Sequence, residues 1–305
     1  MLARLTVHFP FQPTRSFLVQ GGAETVIGRD PDCEIVLDDD RVSRRHARLA
    51  FAGGAWRLDD LDSKNGTSLQ GLPMRQAALG RDGWISFGGL LARFEHTSEE
   101  RERADALRRE ERHRTSAALQ RELTPSLGVE RLLERVLGSI LELSQAERGV
   151  VLLRRENGAM DIAARRNLSD PELVASGFSG SVGAIERAVA TVRAVAVSDA
   201  LLDPGLRGRE SVIAGGIRSL VCLPLVAAER MIGVIYADSR EPGTSFGELD
   251  VEILQALAAH AAIALALARA NRELKGLAAK LPDTETAASW EGVVAHHRHR
   301  GGERA

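Results

Sequence analysis

The first 96 residues of this chain are short alternating runs cut apart by glycine, proline and aspartate: "ARLTVHF", "SFLVQ", "TVIG", "EIVL", "ARLAF", "WRLDDL" and "WISFGGLLARF". A period of two sends successive side chains to opposite faces of a strand. Runs this short, with turn residues between them, predict an all-β sandwich or barrel. No helical spacing interrupts them.

The pattern then breaks. Residues 98–122, "SEERERADALRREERHRTSAALQRE", are mostly charged with both signs interleaved. Glu99–Arg103, Asp105–Arg109 and Glu110–Arg114 stand four apart in the orientation that supports a helix. The apolar seam is thin (Ala104, Leu107, Ala118, Leu119), which predicts a solvated linker helix ending at Pro125. Val129, Leu133, Val136, Ile140 and Leu143 then recur at helical spacing, with a second row at Leu132, Leu137 and Leu141. Such a helix packs on more than one side. The runs "GVVLLRR", "AMDIAAR", "AVAVSD", "SLVCLPLV" and "MIGVIYAD", with the helical "GAIERAVAT" among them, predict an α+β domain around one sheet.

The last helix carries the most sustained period. Leu249, Ile253, Ala256, His260, Ile263, Leu267, Ala270, Leu274, Leu277 and Leu281 alternate steps of four and three. A heptad seam held that long implies a partner helix, most simply the same helix of a second subunit. Beyond Pro282 the chain reads as a polar tail.

Composition narrows the function. The net charge of -2 gives no global pull toward nucleic acid or an acidic membrane. Cys33 and Cys222 stand too far apart in sequence for a disulfide framework or a zinc spacing, which suits a reducing cytoplasm. The N-terminus lacks the apolar core of a signal peptide, and the apolar stretch 253–268 contains His260 and is short for a membrane span. The closing "HHRHR" has no thiol or carboxylate frame, so no metal site is expected.

Within the first domain, "RVSRRHARLAF" sets Arg41, Ser43, Arg44, Arg45 and His46 against a strand. Three chemistries compete. A nucleophile with its base would need an elbow such as GxSxG and an acid partner, which are missing. A nucleic-acid patch conflicts with "LDDD" before the run and "LDDLD" after it. A phosphate clasp fits: a hydroxyl and guanidinium groups donate charge-assisted bonds to a dianion.

The stretches "TVIGRDPDCEIVLDDDRVSRRHARLAF" and "WRLDDLDSKNGTSLQG" resemble a forkhead-associated (FHA) domain, a module that reads phosphothreonine peptides. The family pattern is Gly-Arg, then Ser-x-x-His, then Asn-Gly and a Thr or Ser; here it is Gly28-Arg29, Ser43 with His46, and Asn65-Gly66-Thr67. The resemblance implies a β-sandwich over residues 1–96, with Arg29 and Ser43 on the phosphate and Arg44 as a second cation. It implies that Asn65 holds the peptide backbone and that Lys64 adds contact beside it. Gly28, His46, Gly66 and Thr67 are then structural at the site, with no catalytic residue. Arg41 and Arg45 match no phosphate position.

A charged linker over 97–125 separates this from residues 126–270, which resemble a GAF domain, a small-molecule-sensing and dimerising module with an antiparallel central sheet. The segments "ERGVVLLRRENG", "IRSLVCLPLV" and "RMIGVIYADSREPGTSFGELDVEILQALAAHAAIAL" carry the likeness. The Asn-Lys-Phe-Asp-Glu signature of cyclic-nucleotide-binding members is missing around "SDALLDPGLRGRES", which counts against a cyclic nucleotide while leaving a small-molecule ligand open. Family geometry would place a pocket at Ser198, Asp199 and Arg218. Cys222 reads as a buried strand residue, Asp238 as a strand cap, and His260, on the seam, as an interhelical or dimer-facing histidine. Residues 271–305 are a coiled-coil extension and tail.

The two resemblances together imply a non-enzymatic signalling protein, with a phosphothreonine protein and its serine/threonine kinase as partners and a homodimer as its assembly. The alternative is a regulatory subunit acting in trans on a nucleotide cyclase or transcription activator through a GAF-bound cyclic nucleotide. Thr284 and Thr286, in the acidic "PDTETAA", are candidate phosphosites that could occupy the clasp.

Overall fold

The structure is a computed structural model that describes residues 1–169, 180–201, 203, 206, 209–241 and 246–278. Leu281, Thr284, Thr286 and the histidine-rich end lie outside the described residues.

The alternating runs form two sheets. β1 (Leu2–His8), β2 (Arg15–Gln20), β7 (Thr67–Leu69), β8 (Leu72–Met74), β10 (Asp82–Phe87) and β11 (Leu90–Thr97) make one, in the order β2-β1-β11-β10-β7-β8. β3 (Thr25–Gly28), β4 (Ile35–Val36), β5 (Ala47–Ala52), β6 (Ala55–Asp60) and β9 (Gln76–Leu79) make the other, in the order β4-β3-β5-β6-β9. The period of two decides what is enclosed. In β1, Ala3, Leu5 and Val7 are fully buried, while their neighbours turn outward. Trp56, Phe87 and Phe94 complete the core between the sheets.

Helix α1 (Glu99–Glu122) follows, and Ser98 caps it by accepting the Arg101 N–H. Glu99–Arg103 and Glu110–Arg114 pair as expected, at 3.0 and 2.6 Å. Asp105 departs from expectation. Its carboxylate goes to Arg108 and, across to the sandwich, to Arg4, because Arg4 on β1 faces the helix. Arg109 is left to bond the Asp105 carbonyl instead. Much of α1 is exposed, Leu107 at 67% among it.

The second domain is a five-stranded antiparallel sheet of β12 (Arg148–Arg154), β13 (Met160–Arg166), β14 (Val195–Val197), β15 (Ser219–Ala227) and β16 (Arg230–Ser239), ordered β13-β12-β16-β15-β14. Both faces are covered, so the central strands read as unbroken apolar runs. Val221, Leu223 and Ile235 face α2 (Val129–Ser144) and α5 (Glu248–Ala278). Leu220, Cys222, Val234 and Tyr236 face α3 (Val182–Thr191) and α4 (Glu210–Gly215).

One expectation changes here, and the interhelical reading of His260 is narrowed to a contact within the chain. Asp238 is not a strand cap: it is buried opposite Arg148 across β12 and β16, with Arg148 Nε donating at 2.5 Å. A carboxylate buried at the end of a covered pair of strands is retained only when a cation meets it. His260 bonds the Leu123 carbonyl at the end of α1, 3.3 Å away, within this chain.

The seam on α5 divides as it runs. Ile253 is buried, but Ile263, Leu267, Leu274 and Leu277 are 50–63% exposed. A different stripe (Leu254, Leu257, Ala261, Leu265) packs on the sheet. The helix is long and apolar enough to cross a membrane by length and composition alone, yet about half of that stretch (56%) is buried within the protein.

Candidate functional site

Three loops at one end of the sandwich meet around a cavity of about 680 Å³. One follows β3 and brings Arg29; one precedes β5 and brings Arg41, Ser43, Arg44 and Arg45; one joins β6 to β7 and brings Lys64 and Asn65. β6 and β7 belong to different sheets, so Asn65-Gly66 lies in a crossover loop and not in a hairpin turn.

Backbone bonds fasten the loops together. Ser43 and Arg44 accept through their carbonyls the N–H groups of Arg29 and Asp30, both at 3.0 Å. The Gly28 backbone passes so close beneath that a Cβ there would sit 2.1 Å from the Arg44 carbonyl oxygen. Glycine at 28 is a requirement of that approach. Gly66 holds φ at +75°, the left-handed turn that lets Asn65 face back toward Arg41.

His46 is fully buried and spans the two loops. Its Nδ1 lies 3.1 Å from the Ser43 N–H, and its Nε2 lies 3.2 Å from the Gly66 carbonyl. A backbone N–H can only donate and a carbonyl can only accept, so Nδ1 carries the lone pair and Nε2 the proton. Burial pushes the imidazole pKa down, which keeps this neutral form. Both ring nitrogens are committed to the backbone, so His46 braces the site and is not placed to act as a base.

Asp60 orders the third loop. Its carboxylate accepts the Ser63 hydroxyl and N–H at 2.6 and 2.9 Å and the Thr67 hydroxyl at 2.5 Å. Burial works to raise its pKa, but these donors bring it below the ordinary carboxylate value. Asp60 was not singled out by sequence, although an acid three residues before a serine is a turn signal. Ser43 Oγ accepts the Lys64 N–H at 3.0 Å, and Asn65 Nδ2 donates to the Arg41 carbonyl at 2.7 Å.

The cavity wall carries both signs, with Asp30, Asp40 and Asp62 among its lining, and its cations are of two kinds. Arg41 is bound by Asp39 at 2.8 and 2.6 Å, and Arg75 by Asp62 at 2.7 Å. Among the described residues, Arg29, Arg44, Arg45 and Lys64 have no carboxylate partner. The structure thus brings the five expected site residues to one cavity and adds Arg45 to its wall.

A family model described as FHA domain matches residues 25–88, and one described as GAF domain matches residues 128–265. The chain carries an FHA domain followed by a GAF domain. The cavity belongs wholly to the FHA domain. The glycogen accumulation regulator GarA of Mycolicibacterium smegmatis is 41% identical over 64 residues, which are 21% of this chain and 40% of that protein. The FHA domain-containing protein FhaB of Mycobacterium tuberculosis is 52% identical over 44 residues, 14% of this chain and 28% of that protein. The chain therefore spans less than half the length of either relative. The solved structure of M. tuberculosis EmbR in complex with a low-affinity phosphopeptide is 30% identical, with a TM-score of 0.28, over 31% of this chain and 25% of that one.

In the GAF domain the three expected pocket residues have partners within the chain. Ser198 Oγ accepts the Phe246 N–H at 2.8 Å, and Asp199 holds Arg218 at 3.2 Å. Cys222 is fully buried on the α3–α4 side of the sheet, where burial raises its thiol pKa and keeps it protonated.

Proposed function

We propose that this chain is a phosphothreonine-dependent signalling adaptor without catalytic activity of its own. In this reading the FHA cavity binds a partner protein that a serine/threonine kinase has phosphorylated on threonine. The observation that carries it is the set of cations without carboxylate partners, Arg29, Arg44, Arg45 and Lys64, gathered around one serine hydroxyl. Asp30, Asp40 and Asp62 share the wall, but among the described residues none of these four cations is paired to a carboxylate, so each keeps donors for an anion. A phosphate dianion offers the oxygens that arginine forks and a hydroxyl can share. Arg29 and Ser43 take the phosphate, Arg44 and Lys64 flank it, and Asn65 turns its amide from Arg41 to the peptide backbone. The regulatory name of GarA accords with such a role.

The exposed apolar row on α5 supports a homodimer built through that helix, which would present two clasps to a multiply phosphorylated target. The free, buried cysteines suit a reducing cytoplasm.

Titration of a labelled phosphothreonine peptide and its unphosphorylated twin into the full chain tests the reading. The phosphorylated peptide should bind, and Arg29→Ala should abolish the preference. Equal binding of both peptides by the unaltered chain rejects it.

A further inference from the structure

Arg44 and Arg45 follow each other in the chain, yet both line the clasp cavity. In a regular strand they would point to opposite faces. The backbone explains the departure. The His46 N–H donates to the Ile27 carbonyl at 2.8 Å, and the Arg29 N–H donates to the Ser43 carbonyl at 3.0 Å. Between these two bonds stand one residue on the β3 side, Gly28, and two on the other, Arg44 and Arg45. Two residues against one is the count of a β-bulge, which re-aims a side chain and recurs beside binding sites. Gly28 makes room for it: a Cβ there would lie 2.1 Å from the Arg44 carbonyl oxygen and 3.0 Å from the Arg45 Cα.

The second arginine brought round in this way is exposed and, among the described residues, has no carboxylate partner. Acids nearby in the chain or the wall are engaged elsewhere. Glu34 accepts the Val26 N–H at 2.7 Å, Asp30 accepts the Asp32 N–H at 3.1 Å, and Asp62 holds Arg75 at 2.7 Å. Nor does one phosphate fill the site. A cavity of about 680 Å³ is of the size that holds a drug-sized ligand, so it admits peptide groups beyond the phosphothreonine. Val42 is the apolar member of its lining and is 1% exposed. Neighbours of the phosphothreonine therefore meet charged groups rather than an apolar recess.

We propose that Arg45 is a specificity residue of the clasp. It binds a second anionic group close to the phosphothreonine on the same target, either the carboxylate of an acidic side chain or a second phosphate. The assignment rests on the phosphothreonine reading of the cavity, in which Arg29, Ser43 and Arg44 are taken by the first phosphate. A planar guanidinium fork matches the paired oxygens of both anions.

The test uses the full chain, because the FHA domain is seated on the GAF domain. Thr14, buried in the β1–β2 loop, gives its N–H and its hydroxyl to the Phe246 carbonyl at 2.8 and 3.0 Å. The Phe11 ring of that loop packs against the α3–α4 cluster, with the Arg187 guanidinium 4.5 Å from its centroid. A single glutamate is moved through the positions flanking phosphothreonine in an alanine-rich peptide, and is then replaced by a second phosphorylated residue. Each peptide is titrated by anisotropy into the unaltered chain, Arg45→Gln and Arg45→Glu. The unaltered chain should bind about two- to fivefold tighter when the anion stands at one position or two adjacent ones, the scale of one exposed ion pair. Arg45→Gln should level that preference while still choosing phosphorylated over unphosphorylated peptide, and Arg45→Glu should invert it. Tighter binding with glutamate marks an acidic target, and tighter binding with the second phosphate alone marks a doubly phosphorylated one; either supports the assignment. A gain equal at every position, a gain that Arg45→Gln leaves intact, or loss of the phosphate preference itself in Arg45→Gln overturns it. An unaltered chain that does not distinguish phosphorylated from unphosphorylated peptide overturns the clasp reading, and the assignment with it.

Discussion

The Lys64 N–H donates to Ser43 Oγ at 3.0 Å, and that bond settles which way the serine works. The oxygen is occupied as an acceptor, so the hydroxyl proton is free to be given to an anion in the cavity. Ser43→Ala should therefore lose both the donor and the tie to the third loop. Phosphopeptide affinity should fall roughly 10- to 100-fold, as for other bonds to charged groups, and Ser43→Thr should retain most of it. Calorimetric titration of the two variants checks this.

Gly28→Ala places a methyl group 2.1 Å from the Arg44 carbonyl oxygen, which is backbone and cannot swing aside. The loop bearing Ser43 must shift. We expect a loss of about 1–3 kcal/mol in urea denaturation, the usual range for overpacking, together with weakened peptide binding. An alanine variant as stable as the parent would show that the close approach is dispensable.

His46 ties stability to pH. Its pKa in the folded protein is below 6.5 because burial disfavours the imidazolium, so the unfolded chain binds the proton more readily. Stability is complete above the ordinary histidine value and falls as pH drops below it. His8 is lowered in the same direction, chiefly by burial, and contributes its own share. His46→Gln offers an acceptor to Ser43 and a donor to Gly66 without a titrating group. Melting temperature measured from about pH 6.5 down to about 5 should decline less steeply in that variant, with a residual slope from His8.

Ile263→Glu and Leu267→Glu alter side chains that are 55% and 50% exposed, so the fold should tolerate them. If the α5 row joins two subunits, light scattering should report a dimer for the parent chain and a monomer for the double variant. A parent chain that is monomeric removes the dimer from the proposed function.

The sandwich was legible because its long strands alternate cleanly, as β1 does. β7, β8 and β9 were not: "TSL", "LPM" and "QAAL" are too short to display a period. The clasp residues announced themselves through three separated motifs, but their bonds did not. Asn65 reaching the Arg41 carbonyl and Asp60 gathering Ser63 and Thr67 depend on which loops the two sheets bring together. Asp238 was misread for the same reason. Its partner Arg148 stands 90 positions earlier, and only the pairing of β12 with β16 makes them neighbours.

Thr14 and Phe246 are 232 positions apart in the chain. A ribosome adds roughly 5–20 residues each second, and the FHA domain encloses its own core by Thr97. The sandwich can therefore fold while the residues that will cover Phe11 have yet to be made. For roughly 7–30 seconds of each synthesis the cavity loops exist without the GAF domain beside them. The Phe11 ring is thus uncovered in a nascent chain, and its neighbours Asp203 and Arg187 arrive only with the second domain.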